Sequence, residues 1–457
     1  MKANDTNGFT QKEWEDCIKV LKILKDNPLD NPDNQLLGTL ITKIYKQVKK
    51  SNRAKSHLEK RKKDLDVLLN TTVNKNARAG VSLFADKEQG AENGRFTKLE
   101  MSRQCYCCNE AYDTAHFFYA RLCPACAVEN YAARFENADL TGRKVILTGG
   151  RVKIGYATAL RLLRSNATVI VTTRFPGLAW SQFEQEEDYP HWKENLTVYG
   201  LDLRNLHAIH AFVSFYTDRF DNVDILINNA AQTIQYPGDY YLPIIAREEK
   251  AIRALGNVQH LVENKTPVAH AIQVLDDQGF EHASLPLNRF GQPVDFRDKT
   301  SWNSTLDEIS VQELLEVNLI NQIAPYLLIK ELKPWFKKSG FTDKFIVNVT
   351  SSEGLFSYEN KTKFHPHTNM TKAALNMLTR TSAGEFARDQ IYMSCVDVGW
   401  ISTGAKESLR VQQFEQGYIP PLDAVDGASR IFHPILKGLE KEYLYGVLLK
   451  NYKVSDW

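Results

Sequence analysis

The feature that most restricts how this chain can fold is a succession of short apolar runs, each followed by a helical stretch. Val145-Ile146-Leu147, Val169-Ile170-Val171, Leu196 to Asp202 and Ile225 to Asn228 come in turn, and later Phe345 to Val349 and Cys395 to Val398. Runs this short without polar alternation read as strands buried on both faces, and interleaved with helices they call for a parallel, doubly wound α/β sheet. A long stretch, residues 232–310, interrupts the alternation and carries Pro237, Gly238, Pro243, Pro286 and Pro293. Insertions of that length are functional caps or disordered segments. The aromatics Tyr236, Tyr240, Tyr241, Phe290 and Trp302 favour an ordered cap over the strand ends.

The rest of the 457 residues leaves room for further domains. Residues 1–75 read as a helical region, with Trp14, Ile18, Leu21 and Leu24, then Leu37, Leu40, Ile41, Ile44 and Val48, at helical steps. Asn27-Pro28 to Asn31-Pro32 divides it into two helices. A basic run from Lys43 to Lys63 holds one aromatic, Tyr45, and reads as a solvated helix face rather than a nucleic-acid surface. Residues 76–103 read as a linker, 104–135 as a cysteine module and 140–457 as the α/β domain. A net charge of +2 gives no global attraction to nucleic acid or membrane. Apolar runs such as Tyr326 to Ile329 fall far short of a bilayer span, and the polar N-terminus has no signal-peptide core. The expectation is a cytoplasmic protein.

Five of the seven cysteines lie between Cys105 and Cys126. Cys105-x-x-Cys108 and Cys123-x-x-Cys126 form two knuckles whose four thiolates suit a tetrahedral, closed and therefore structural Zn²⁺ site. Cys107 is the spare, and His116 substitutes only if one knuckle is misassigned.

The strand ending at Leu147 runs into Thr148-Gly149-Gly150-Arg151-Val152-Lys153-Ile154-Gly155 and then a helix. Such a turn brings the backbone close to a pyrophosphate and aims a helix N-terminus at its charge, as in a Rossmann sheet. Asp202-Leu203 ends the third strand, where a carboxylate can hold an adenine amino group, and Asn228-Asn229-Ala230-Ala231 ends the fourth. Asn318 lies in a helix, Val349-Thr350-Ser351-Ser352 ends the fifth strand, and Gly399-Trp400-Ile401-Ser402-Thr403 follows the sixth. Together these resemble the short-chain dehydrogenase/reductase family over about residues 139–448, and the His-Thr-Asn-Met-Thr-Lys helix start resembles a branch of it that also carries a cysteine knuckle in front. The resemblance places Gly149, Ile154, Gly155, Asn228, Gly399, Ile401 and Thr403 in the cofactor cradle, and Asn318, Ser352 and Lys372 in three places of the catalytic tetrad. It also implies a homo-oligomer paired through the helices at 310–337 and 371–388. The dinucleotide is expected to be NADP(H): Arg174 follows the second strand where an acidic residue would grip a ribose 2′-hydroxyl, Arg151 lies in the turn, and Lys153 replaces the second glycine.

The fourth tetrad place, a tyrosine four residues before the lysine, holds Thr368. An alkyl hydroxyl is several pKa units less acidic than a phenol, and each unit is about 1.4 kcal/mol. Thr368 therefore cannot simply replace the acid. His367, Tyr358 and His365, in that order, are candidate proton donors from the same loop. Two functions stay open: an NADPH-dependent reductase of a small-molecule carbonyl or imine, or a non-catalytic NADPH-binding scaffold that recruits a protein partner through the zinc module and N-terminal helices.

Overall fold

The chain begins with helices. Thr10 and Glu13 form a capping box that starts α1 (Gln11–Leu24), and α2 (Asn34–Leu69) follows. The computed structural model describes residues 8–26, 34–79, 95–263, 292–357, 361–401 and 420–457. The expected break between the two helices falls outside them. The chain divides into two units, Met1–Asp66 and Val67–Trp457. No helix among the described residues is long and apolar enough to cross a membrane.

The second unit opens with the end of α2 and α3 (Thr72–Ala79), then β1 (Phe96–Gln104), β2 (Ala111–His116) and α4 (Pro124–Ala133). β1 and β2 form an antiparallel hairpin with a register shift between Lys98 and Arg103. This corrects the linker expected over 76–103: β1 occupies its last eight residues, so the cysteine module begins at Phe96 rather than at 104. Leu68 and Val73 are buried in the module's own core with Leu99, Tyr112, Phe118 and Leu122. A polar strand such as Phe96-Thr-Lys-Leu-Glu-Met has only Leu99 fully buried, which hid it from apolar periodicity.

The main sheet follows the expected alternation. β3 (Lys144–Thr148), α5 (Lys153–Arg164), β4 (Thr168–Thr173), α6 (Pro176–Phe183), α7 (Tyr189–Trp192), β5 (Leu196–Gly200), α8 (Leu206–Arg219) and β6 (Ile225–Asn228) make the first half. The insertion then contributes α9 (Gly238–Leu255) and β7 (Leu261–Val262). The second half comprises α10 (Val311–Asn318), a π-helical turn at Leu319–Ile323, α11 (Ala324–Lys338), β8 (Lys344–Thr350), α12 (Pro366–Arg388), β9 (Ile391–Asp397), α13 (Ala424–Leu439), β10 (Leu448–Lys450) and β11 (Lys453–Ser455). The strand order is β11-β10-β9-β8-β6-β3-β4-β5-β7, parallel throughout except β11. Strand residues alternate between two cores. Val145, Leu147, Val169, Val171 and Ile227 pack with α5, α6 and α13, while Ile146, Ile170 and Leu226 pack with Phe212, Leu328, Leu332 and Phe336 of α8 and α11. The order reverses between β3 and β6, the switch point at whose carboxyl edge ligands bind in open α/β sheets.

The insertion, expected as a cap, joins the edge of the sheet. α9 packs against α6, and β7 pairs in parallel with β5 to extend the sheet at its edge. Two neighbouring amides, Gly177 N (2.6 Å) and Leu178 N (2.8 Å) at the start of α6, both donate to the Glu248 carboxylate of α9.

Candidate cofactor and active site

Small residues build the phosphate end. Gly149 has φ +71, and a Cβ there would lie 2.9 Å from Ala230 Cα. At Gly155 a Cβ would meet Gly149 O at 2.0 Å and Asn229 Nδ2 at 2.6 Å. Asn229, rather than the expected Asn228, clamps the turn: its Nδ2 donates to Thr148 O (3.0 Å) and Gly149 O (3.1 Å). Thr148 Oγ1 in turn accepts from Asn229 N and Ala230 N, both at 3.0 Å. Asn228 is buried and turned inward, donating to Asn348 Oδ1 at 2.8 Å. Lys153 takes the left-handed φ of +53 that the absent glycine would favour. The N-cap of α5, Val152, supplies no side-chain acceptor, so the first-turn amides point to the site without a cap. That geometry fits a pyrophosphate.

Beyond β4, Arg151 and Arg174 share one ring. Their guanidinium carbons lie 5.4 and 5.6 Å from the centroid of Phe175, and Arg174 also stands 4.9 Å over Tyr241 of α9. Burial, and then the like charge of Arg174, lower Arg151 to about 10. No carboxylate among the described residues forms an ion pair with either guanidinium. Asp202 is less free than expected. Arg204 holds its carboxylate from Nε and Nη2, the latter at 2.6 Å. Burial would raise Asp202, but the bonds and charge of Arg204 outweigh it and keep it below the ordinary value. Leu203 is a core residue.

At the other end, α12 carries Thr368 and Lys372 one turn apart on one face. Lys372 Nζ donates to Val349 O at 2.8 Å, and burial depresses its pKa to about 8. Thr368 is 2% exposed, and its Oγ1 has no hydrogen-bond partner. Ser352 opens a short 3-10 turn to Gly354 that packs on this helix: Asn376 Nδ2 donates to Gly354 O at 3.0 Å, and a Cβ on Gly354 would lie 2.8 Å from the Lys372 carbonyl carbon. Ser351, its neighbour, is the first residue beyond β8. Asn318 ends α10, with Nδ2 donating to Leu314 O at 2.7 Å and Oδ1 accepting from Gln322. The π turn after it presents Asn321, which bonds both Gln232 N (2.8 Å) and Gln232 O (2.9 Å) and donates to Thr371 Oγ1 (3.1 Å). Asn321 thereby ties the end of β6 to α12. Sequence reading missed it; the cue was a second asparagine three residues after Asn318.

The two histidines face elsewhere. His367 is 1% exposed, and it shares its side of α12 with Thr371, not with Thr368 and Lys372. Its Nε2 lies 3.3 Å from Glu313 Oε1, an ion-pair distance without hydrogen-bond alignment, and its Nδ1 has no partner. Burial would raise Glu313, but His367 and Ser301 hold it below the ordinary value. His365 sits in the left-handed region (φ 41, ψ 50), stacks on Trp302 at 4.4 Å, and places Nδ1 2.8 Å from Trp302 O. It anchors the end of the insertion to the start of α12. Tyr358 and Thr403 lie outside the described residues.

After β9, Gly399 (φ +80) donates its N–H to Asp397 Oδ1 at 2.9 Å, and Ile401 packs toward α5 and α13. The four thiols of Cys105, Cys108, Cys123 and Cys126 gather within 4.8 Å of one another, with Cys108 Sγ and Cys123 Sγ 3.7 Å apart. Ligands 2.3 Å from a tetrahedral zinc stand about 3.8 Å apart, so the cluster fits that ion. Cys105 Sγ accepts from Cys123 N at 3.2 Å, and its thiol is held far below the ordinary value by the Cys107 thiol and by backbone amides. Cys107 is not part of the cluster. His116 is a core ring among Phe96, Phe117, Tyr119 and Tyr131, its Nδ1 accepting from Phe118 N at 3.1 Å.

Comparison with known proteins agrees with this architecture. Residues 143–241 match the family described as short chain dehydrogenase, and 296–419 the one described as enoyl-(acyl carrier protein) reductase. The chain is 32% identical over 356 residues to uncharacterized protein R665 of Acanthamoeba polyphaga mimivirus, covering 73% of this chain and 71% of that one. It is 24% identical over 202 residues to dehydrogenase/reductase SDR family member 13 of Bos taurus, 42% of this chain but only 49% of the bovine protein. Among solved structures, NADPH-bound carbonyl reductase from chicken fatty liver aligns with a TM-score of 0.44 and 21% identity, over 70% of this chain and all of that one.

Proposed function

We propose that this chain, which belongs to the short-chain dehydrogenase/reductase family, is an NADP(H)-dependent oxidoreductase that reduces a carbonyl or imine of a small molecule without the usual tyrosine. One observation carries the cofactor reading. Two guanidiniums, Arg151 and Arg174, lie over the single ring of Phe175, and no carboxylate among the described residues is ion-paired to either. Like charges held that close are relieved by an anion between them, and a 2′-phosphate is the anion a dinucleotide offers there. Gly149, Gly155 and the start of α5 would hold the pyrophosphate, and Lys372 the nicotinamide ribose.

When bound, the nicotinamide supplies the hydride. The chain's own residues must then provide a proton and polarise the substrate oxygen or nitrogen. Ser352, in the short turn two residues beyond β8, is the hydrogen-bond donor in this reading. The buried Lys372 ammonium, tuned to about 8, is the acid in this reading. Thr368, on the same helix face, passes the proton through its hydroxyl without having to be acidic itself. His367, turned to Glu313, supports the apoprotein geometry instead. The four-cysteine cluster holds a structural zinc, and exposed Tyr326, Met370 and Met377 on α11 and α12 favour pairing with a second copy. One observation favours the scaffold alternative: among the described residues, the ionisable group one turn from Thr368 on its face of α12 is a lysine. A functional acid at Lys372 answers it.

The test is a binding comparison followed by a turnover screen. The native chain should bind NADPH about a hundredfold more tightly than NADH, with Arg174→Ala removing most of that preference, since a charge-assisted hydrogen bond contributes about 1.5–3 kcal/mol. Equal affinity for the two cofactors would defeat the reading of the arginine pair. NADPH retention with no oxidation at 340 nm across a carbonyl and imine panel would leave the scaffold.

A further inference from the structure

We infer that the cysteine module is part of the cofactor site, and that metal occupancy and dinucleotide binding are coupled through Tyr106. This rests on the NADP(H) reading above. Tyr106 lies inside the first knuckle, next to Cys105. Its N–H donates to Arg121 O at 2.9 Å, and the two residues on either side of it, Cys105 and Cys107, belong to the turn closed by Asn109 N to Cys105 O at 3.0 Å. From there its phenol reaches into the sheet domain, where Oη accepts from Trp400 N at 2.8 Å. The Arg121 guanidinium lies 4.9 Å from the ring centroid of the same tryptophan.

The contact falls on the segment that follows β9 at the ligand-binding edge. Gly399 has no room for a side chain: a Cβ there would lie 2.6 Å from Leu422 Cδ1 and 3.3 Å from Tyr106 Oη. Leu422 belongs to the buried core of the module itself. One residue past Trp400, Ile401 presses on the backbone of α13, where a Cβ at Gly427 would sit 2.6 Å from Ile401 Cδ1 and 3.1 Å from Ile154 Cγ1. Ile154 is a residue of the glycine turn. Tyr106, the Trp400 amide, Ile401 and Ile154 thus mark a path from a metal-ligating knuckle to the first turn of α5, the last two both lying against Gly427.

The module is fastened to the same part of the domain elsewhere. Tyr119 Oη donates to Asp426 Oδ1 at 2.6 Å, and Arg134 Nη1 pairs with Asp423 (2.7 Å) and Asp426 (3.0 Å). Asn451 Nδ2 donates to Cys107 O at 3.2 Å. The Tyr119 and Arg134 contacts lie outside both knuckles, so they keep the module docked while the first knuckle, held by Asn451 at Cys107, responds to the metal. Without the ion the first knuckle loses the bonds that tie Cys105 and Cys108 to the second, and it is free to shift. Tyr106 moves with it, releasing the Trp400 amide and the turn behind it.

Coupling of this kind is reciprocal. NADPH titrations of the zinc-loaded chain and of the same chain after chelation should differ by about tenfold, in the range typical of linked sites. Zinc affinity, measured by equilibrium competition against a chromophoric chelator, should rise by the same factor when NADPH is present. Tyr106→Phe should keep the zinc and a cooperative melting transition, yet lose most of the coupling in both directions. Equal NADPH affinity with and without metal overturns the inference, as does a zinc affinity indifferent to NADPH or a Tyr106→Phe chain that couples like the native one. If chelation unfolds the protein, the competition experiment on folded, zinc-bearing native and variant chains still decides. Failure of the zinc-loaded native chain to bind NADPH at all shows in the first titration, and marks failure of the cofactor reading rather than of the coupling alone.

Discussion

Thr368 and Lys372 decide what chemistry is open to this site. A threonine hydroxyl cannot act as an acid near neutrality, but it can receive a proton on one side and give one on the other. In this reading the group that loads it is Lys372, one helical turn away on the same face and brought to about 8 by burial. Reduction needs the ammonium. Turnover in the reductive direction should therefore be full below about pH 8 and fall as the pH rises through that value, the lysine losing its proton. Lys372→Met should lower the rate on the order of 10²–10³-fold, as expected for loss of a general acid, while His367→Ala leaves most of it. A pH–rate profile of native and variant chains checks this. Turnover abolished by His367→Ala and preserved in Lys372→Met would move the proton source to the Glu313–His367 pair. Substituting Ser351 and Ser352 separately assigns the hydroxyl that faces the substrate.

Single elements carry the departures from expectation. The insertion was read as a roof because it follows β6 at the carboxyl edge, yet α9 folds back beside α6 and places Tyr241 over Arg174. Glu248 fastens it by accepting two amides at the α6 N-terminus, where a carboxylate also meets the positive end of the helix dipole. Glu248→Gln should cost about 1–2 kcal/mol of local stability, speeding hydrogen exchange at the Gly177 and Leu178 amides on the order of tenfold. Unchanged exchange would show that α9 is held by apolar packing alone. The π turn at Leu319–Ile323 is a second such element. It rotates Asn321 toward Gln232 and Thr371, a position that a continuous α-helix from Val311 would have assigned differently.

At the scale of the whole molecule, the sheet, the module and the surface of α11 and α12 set the remaining questions. Met370 and Met377 are seven residues apart on one side of α12 and more than half exposed, and Tyr326 of α11 is half exposed. In the proposed pairing of two copies these side chains are covered. Light scattering should give a dimer or larger assembly for the native chain, and Met377→Glu should shift it towards the monomer by burying an unpaired charge. A native monomer at micromolar concentration would remove self-pairing.

Much of this was already decided by local pattern. Short apolar runs read as central strands, so the doubly wound sheet followed from their spacing with the helices, and the glycine turn followed from its place between the first of them and a helix. The paired cysteine spacing marked the cluster before any contact was known. Local pattern could not show which neighbour a polar side chain meets. Asn229 rather than Asn228 clamps the turn, Arg204 occupies the Asp202 carboxylate, and His367 turns to Glu313, because each outcome depends on helix phase and on partners 2 to 82 positions away in sequence. The docking of Tyr106 on Trp400 joins residues 294 positions apart. Backbone propensity and apolar burial are properties of a segment and can be read there, whereas hydrogen bonds and ion pairs at a site belong to pairs that only the folded chain brings together.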